Sequence, residues 1–459
     1  MNKVEFGALF LEPLRNGVTK PKRVRGSGYK MVNMGEIFSL SFIQNQTMDR
    51  VPLTDKEKAT TLLQNNDLLF ARQSLVRDGA GKCSIFLNDN EPVCFESHII
   101  RVRLNQELCY PMFYYYFFSS RLGKNTMDKI IEQGAGAAGI RGSDLAKLEV
   151  PYIGYSKQKE IADSLYSFDQ KIQLNTQINQ TLEQIAQALF KSWFVDFDPV
   201  RAKAQALSDG MSLEQAELAA MQAISGKTAE ELTALSQTQS DRYTELAETA
   251  KAFPCEMVEV DGVEVPRRWE MKALSDLGQI ICGKTPSKSN KEFYGDDVPF
   301  IKIPDMHNQV FITQTTDNLS VVGANYQSKK YIPAKSICVS CIATVGLVSM
   351  TSKPSHTNQQ INSIIPDDEQ SCEFLYLSLK QPSMTKYLKD LASGGTATFN
   401  LNTSTFSKIE IITPSKEIIY IFQKKVVSIF EKTLSNSIEN KRLTEIRDLL
   451  LPRLLNGEI

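Results

Sequence analysis

The chain has 459 residues, a net charge of −1, 42% hydrophobic and 23% charged residues. That length is too great for one ordinary core and predicts about two to four domains. A charge near zero excludes a globally basic nucleic-acid binder, so the distribution of charge must carry any such argument.

No apolar run approaches the ~20 residues of a membrane span. The N-terminal stretch MNKVEFGALFLEPLRNG has no signal-peptide pattern. Eight cysteines without a disulfide framework predict a reducing, cytoplasmic setting.

Residues 1–150 read as a mixed α/β domain with short strands. Between Glu12 and Glu36 the sequence has no acidic residue, yet it holds Arg15, Lys20, Lys22, Arg23, Arg25 and Lys30 among Gly17, Gly26 and Gly28. Long cations and short backbone can both reach a phosphate, so this loop is a candidate DNA-contacting surface. Taken alone, a solvated loop with spare charge explains it equally well. The segments DLLFARQS (67–74) and VCFESHIIRVR (93–103) predict buried strands, with Arg72 and Arg77 as further candidates for DNA contact. The run YPMFYYYFF (110–118) predicts the start of a buried helix. Stacking of bases on those rings is the weaker alternative. GAGAAG (134–139) fits G-x-G-x-x-G on paper, but the preceding DKIIEQ reads as helical and a repeat copy loses the pattern. It predicts instead a flexible glycine loop meeting DNA backbone or groove, next to the candidate Arg141.

A long helix is predicted from Tyr155 to Phe194, closing at Pro199. A second runs from Lys416 to Leu455. The two stretches keep a constant spacing of 261 positions, as in Lys147/Lys408, Asn175/Asn436, Asn179/Asn440, Leu182/Leu443 and Leu189/Leu450. A gapless register of this length predicts an internal repeat. Each copy carries apolar residues at alternating steps of four and three, from Ile161 to Trp193 and from Phe422 to Leu454, as in a coiled coil. At 1.5 Å per residue each helix is roughly 60 Å long. The seam midpoints fall between Asn175 and Asn179 and between Asn436 and Asn440. Antiparallel packing then brings Asn175 to Asn440 and Asn179 to Asn436, flanked by Leu182 and Leu443, with few polar groups elsewhere. The alternative is that these asparagines face solvent.

Residues 204–265 are acidic and rich in Ala, Gln, Ser and Thr, and predict short surface helices with linker. Residues 266–412 repeat the theme of the first domain: GKTP (283–286) echoes GVTKP (17–21), VPFIKIPDM (298–306) echoes GYKMVNM (28–34), PAKSICVSCIATVG (333–346) echoes NNDLLFARQSLVRDG (65–79), and Ser355-His356 echoes Ser97-His98. Lys284, Lys288 and Lys302, with Thr396 and Asn400 of the glycine-bearing segment SGGTATFNLNTSTF (393–406), are this domain's candidates for DNA contact. They are expected to line one cleft with the Arg15–Lys30 loop. The chain is thus a tandem repeat of domain and helix: 1–150, 151–203, the insert 204–265, 266–412 and 413–459.

Cys338-x-x-Cys341 is a lone pair in an apolar strand, which predicts core cysteines rather than a metal site. His98, His307 and His356 are the only histidines. No phosphate-binding loop, H-E-x-x-H or Asn/Asp-Pro-Pro-aromatic motif is present. Catalytic chemistry has no evident home.

This architecture resembles the specificity subunit of type I restriction–modification systems across essentially the full chain. The residues that carry the resemblance are 131–204, from IEQGAGAAGIRGSDLAKLEV to FVDFDPVRAKA, the C-terminal IENKRLTEIRDLLLPRLLNGEI (438–459), and VEVPRRWEMKAL (263–274). The resemblance implies mixed α+β target-recognition domains on two long antiparallel coiled-coil helices. It implies that each domain reads half of a split DNA sequence and that the subunit has no catalytic activity of its own. The helices act as a spacer that docks two methyltransferase subunits, and two restriction/translocase subunits complete the enzyme. S-adenosylmethionine, ATP and Mg²⁺ belong to those partners, with no cofactor or metal in this subunit. The 204–265 insert is longer than the family's usual connector. Read without the resemblance, a coiled-coil scaffold with two protein-binding domains remains the alternative; a two-domain enzyme lacks a catalytic constellation.

Overall fold

A computed structural model describes residues 2–134, 136–260, 262–393 and 400–456. Thr396 lies outside the described residues. The chain forms two compact units, Met1–Ile172 with Arg442–Ile459, and Gln173–Lys441.

In the first unit the strand Asn2–Glu5 pairs antiparallel with Glu149–Tyr152, so the domain closes its own ends before the long helix begins. Its main sheet has five strands in the order Arg15–Asn16, Ile99–Val102, Leu68–Ala71, Cys83–Phe86, Phe42–Ile43. Successive side chains of a strand point to opposite faces. Leu68 and Phe70 therefore join a core with Phe6, Phe113 and Phe117, while Leu69 and Ala71 join another with Val32, Ile37 and Phe95. Burial on both faces explains why the strand reads as an unbroken apolar run. A smaller sheet orders Asp49–Val51, Tyr29–Val32 and Val93–Phe95. The aromatic run forms the helix Pro111–Ser119, with proline in its first turn and residues 111–118 buried. These rings are core, not a stacking platform.

The second unit repeats this plan. Glu270–Ala273 pairs with Glu410–Thr413, and the main sheet runs Gly278–Cys282, Ile361–Pro366, Ile337–Ser340, Val348–Thr351, Phe311–Ile312. The smaller sheet gains a strand: Tyr294–Gly295, Asp317–Leu319, Val298–Ile301, His356–Thr357. Cys338 faces the core of Ile301 and Ile361, whereas Cys341 faces that of Phe374 and Phe406. Burial pushes their thiols up to about 12 and about 11.

One echo shifts register. Met31 pairs with Cys94 and Phe300 with His356, each in the parallel pair of its smaller sheet. His356 therefore stands where Cys94 stands, not where His98 does. Fully buried, it is pushed down to about 4 by desolvation and stays neutral at physiological pH. His98 is exposed in the turn before Ile99–Val102.

The long helices span Tyr155–Phe194 and Lys416–Asn456. In the second unit their contacts run in opposite directions. Asn175 donates to Asn440 Oδ1 at 3.0 Å and to Glu439 at 2.8 Å, and Asn436 donates to Asn179 Oδ1 at 2.9 Å. Asn179 in turn donates to the Thr433 carbonyl and the Ser437 hydroxyl. Asn175 and Asn436 are each 1% exposed, so any slip would leave amides against apolar groups. Leu182 and Leu443 are each half-buried.

The seam is also polar away from its centre. In the first unit Arg447 bonds Asp169, which accepts a 2.5 Å hydrogen bond from Tyr116 of the aromatic helix. In the second, Phe190 and Phe194 pack on Phe374, and Phe194 meets Phe422 at 4.9 Å.

Pro199 does not close the first long helix. That helix ends at Phe194, Phe197 adopts a left-handed conformation (φ 57°), and Pro199 lies in the first turn of a new helix, Asp198–Ser208. The following acidic segment is more than linker. Helices Leu213–Ser225, Ala229–Thr238 and Ser240–Ala252 bury their own core of Ala220, Met221, Leu232, Leu246 and Ala250. Lys203, 1% exposed, donates to the Ala250 and Phe253 carbonyls, satisfying the C-terminal end of the last of these helices.

Candidate nucleic-acid interface

Each domain opens its basic segment on a glycine pressed against a strand end. Val18 N–H donates to the Phe95 carbonyl, and a Cβ on Gly17 would sit 1.9 Å from that oxygen. Lys284 N–H donates to the Thr357 carbonyl, and a Cβ on Gly283 would sit 2.2 Å from the Asn358 carbonyl and 2.3 Å from that of Thr357. The two positions are equivalent in the repeat, and both require the missing side chain so that the chain can lie against the sheet.

The cations that follow divide into two groups. Lys20 pairs with Glu57 at 2.9 Å, Arg25 with Asp49 at 2.7 Å, and Lys30 with Asp89 at 2.9 Å and Glu91 at 3.4 Å. The Asp89 hydrogen bond holds the Lys30 ammonium above its usual range. Three of the interval's six cations are thus neutralised from elsewhere in the fold, which corrects the reading of the whole interval as spare positive charge. Lys22 and Arg23 are exposed on a single 3₁₀ turn, and neither side chain has a partner among the described residues. Just upstream, Glu12 is gripped by Arg101 at 2.8 Å and Arg103 at 2.9 Å. Burial works against it, but those guanidiniums hold the Glu12 carboxyl below its ordinary value.

Elsewhere in the first unit Arg77 pairs with Asp128 at 2.9 Å and exposed Arg141 with Glu132 at 2.7 Å. Arg72 is half-buried with no side-chain partner among the described residues. Around GAGAAG there is no strand–loop–helix arrangement among the described residues. Glu132–Gln133 and Ala138–Gly139 form a hairpin, extended by Gln73–Ser74. In the second unit Lys302 is paired with Asp317, while Lys284 and Lys288 are exposed and unpaired among the described residues. Lys288 lines a hollow of about 490 Å³ with Lys291, Tyr294 and Asn318. Asn400 is exposed and bridges to Ile342.

Lys22 and Arg23 thus stand together, as do Lys284 and Lys288, each pair on the segment its glycine opens. Arg77, Arg141 and Lys302 are tied down by acids. No sequence pattern marks Glu57, Asp49, Asp89 and Glu91 as neutralising partners, because they lie 24 to 61 positions from their cations. The shortest of those separations is already longer than any helical or hairpin pattern would flag.

Two versions of one α+β domain, each with unpaired cations beyond a sterically required glycine, and each joined to paired long helices, define a two-reader recognition protein. The model of the type I restriction modification DNA specificity domain matches the chain twice, over residues 14–184 and 266–448. The chain is 71% identical over 434 residues to the type I restriction enzyme HindI specificity subunit of Haemophilus influenzae, covering 93% of this chain and 94% of that one. It is 33% identical over 189 residues to the MjaIX specificity subunit of Methanocaldococcus jannaschii, covering 41% and 42%. A crystal structure of the type I system S subunit from M. genitalium shares the fold, with a TM-score of 0.51 at 15% identity over 99% of this chain and 95% of that one. The chain belongs to the type I restriction–modification specificity-subunit family. It is a DNA-recognition subunit with two target-recognition domains, and not itself the catalyst.

Proposed function

We propose that residues 1–150 and 266–412 each read one half of a bipartite duplex target, and that the helices within 151–203 and 413–459 set the half-site separation. The helices also dock two methyltransferase subunits, and two restriction/translocase subunits join to complete a restriction enzyme. S-adenosylmethionine is bound by the first partner, and ATP and Mg²⁺ by the second. The assembly works in the cytoplasm; no helix among the described residues is long and apolar enough to cross a membrane. The observation that carries this reading is the double family match on two domains that share strand order while differing in their exposed residues.

Lys22 and Arg23 in one domain, and Lys284 and Lys288 in the other, contact phosphates. Arg72 and Asn400 are further contacts to the duplex, and Lys20, Arg25, Lys30, Arg77, Arg141 and Lys302 shape the surface through their ion pairs. Thr396 is assigned to the second reader from its place in the sequence. Replacing Lys22 and Arg23 by alanine is expected to weaken binding of the full chain with its methyltransferase to target duplex. The slope of log K against log salt should flatten by about one unit per lost phosphate contact. Gel shifts over a salt series measure it. Arg25→Ala should change the slope less, because Asp49 already neutralises that charge. An unchanged slope for the Lys22/Arg23 pair would remove this loop from the interface.

A further inference from the structure

The two domains differ sharply at one loop held by the same anchors. In the first, Gly81 N–H donates to the Ala71 carbonyl and Gln73 pairs with Gly139. In the second, Gly346 N–H donates to the Ser340 carbonyl and Ile342 pairs with Asn400. Between these anchors the second domain has three residues, 343–345, and the first has seven, 74–80. The longer loop carries Leu75, 88% exposed, beside Val76, 65% exposed; Leu75 is the most exposed large apolar side chain among the described residues. In the shorter loop the exposed positions are Ala343 and Thr344, and Val345 is buried.

The loop is braced. Val76 N–H donates to Ser74 Oγ at 3.2 Å, and Gly79 and Ala80 N–H close turns onto the Val76 and Arg77 carbonyls. The Arg77 guanidinium ties the far side to the Asp128 carboxylate and carbonyl. Two apolar side chains are thereby held in water on an ordered backbone. Single exposed apolar residues are ordinary, whereas an adjacent pair fixed outward on a loop that is extended in only one of two sister domains calls for a ligand. In a DNA reader the matching apolar feature is the C5 methyl of thymine, which projects into the major groove.

We propose that Leu75 and Val76 are specificity-determining residues of the first domain, contacting a thymine methyl in its half-site. The proposal rests on the two-reader function above. Thr344 at the equivalent place gives the second domain a hydroxyl instead, so the two half-sites are read by different chemistry.

The test replaces each dT of the target duplex, one at a time, by dU, which removes only the methyl group. Binding is measured for the full chain with its methyltransferase subunit, as wild type and as Leu75→Ala/Val76→Ala. At least one dU in the first half-site should weaken wild-type binding about fourfold, the scale of one buried methyl, and should leave the variant unaffected. No second-half-site position should show this. Identical dU profiles for wild type and variant would overturn the proposal, as would loss of the methyltransferase from the purified complex, which would make the pair a protein contact. Failure of the wild type to bind any duplex sequence-specifically would instead sink the two-reader function. Both residues are exposed, so unchanged thermal unfolding should accompany the variant.

Discussion

Gly17→Ala and Gly283→Ala should each disable one reader and spare the other. The added Cβ in Gly17→Ala meets the Phe95 carbonyl at 1.9 Å, and in Gly283→Ala it meets the Asn358 and Thr357 carbonyls. Backbone cannot swing away as a side-chain end can, so either the loop lifts off or the strand moves. A cost of about 3 kcal/mol, at the upper end for overpacking, is expected for each substitution. Denaturant unfolding of the full chain measures that cost, and methylation of duplexes carrying single half-site changes measures the loss of reading. Gly35→Ala is the control: nothing lies within 4 Å of its added Cβ, and it sits in the helix Met34–Ser39, so it should stabilise slightly. Equal behaviour of Gly17→Ala and Gly35→Ala would show that the close approach is not a constraint.

The second large effect is expected at Arg447→Leu. Asp169 is 8% exposed and is held by Arg447 and the Tyr116 hydroxyl. Removing the cation leaves a buried carboxylate with one neutral partner, which costs about 2–3 kcal/mol after allowance for Arg447's partial exposure. Asp169→Leu together with Arg447→Leu should recover most of the loss, because no uncompensated charge remains. Hydrogen exchange over residues 442–454 reports it: protection should fall in the single variant and largely return in the double. Equal protection in all three proteins would mean that the ion pair does not hold this helix end.

The long helices were legible because forty residues of seam pattern and a constant repeat spacing reinforce each other. Even there, Arg447 stands at a position the pattern reserves for an apolar side chain, and its partner Asp169 is on the other helix, out of reach of any local rule. The repeated domains were legible from short echoes at strands and glycines. Where loop lengths differ, matching by letters slips, so Ser355-His356 aligns by letters with Ser97-His98 although His356 takes the place of Cys94 in the parallel pair.

The basic interval showed where cations cluster along the chain. It could not show that Glu57, Asp49, Asp89 and Glu91 fold back onto three of them, leaving Arg15, Lys22 and Arg23. The acidic insert reads as short surface helices with linker, because each helix alone is short. Its small core of alanines with Met221, Leu232 and Leu246 is a tertiary product that no helix predicts alone.

Exchange of one reader is the most direct measurement. Residues 1–150 are replaced by the corresponding domain of a relative with a different target, the chimera is produced with its methyltransferase subunit, and methylated sites are mapped across the host genome. The expected result is a bipartite motif in which one half has changed and the other half and the spacing are kept. A motif in which both halves change together would contradict it.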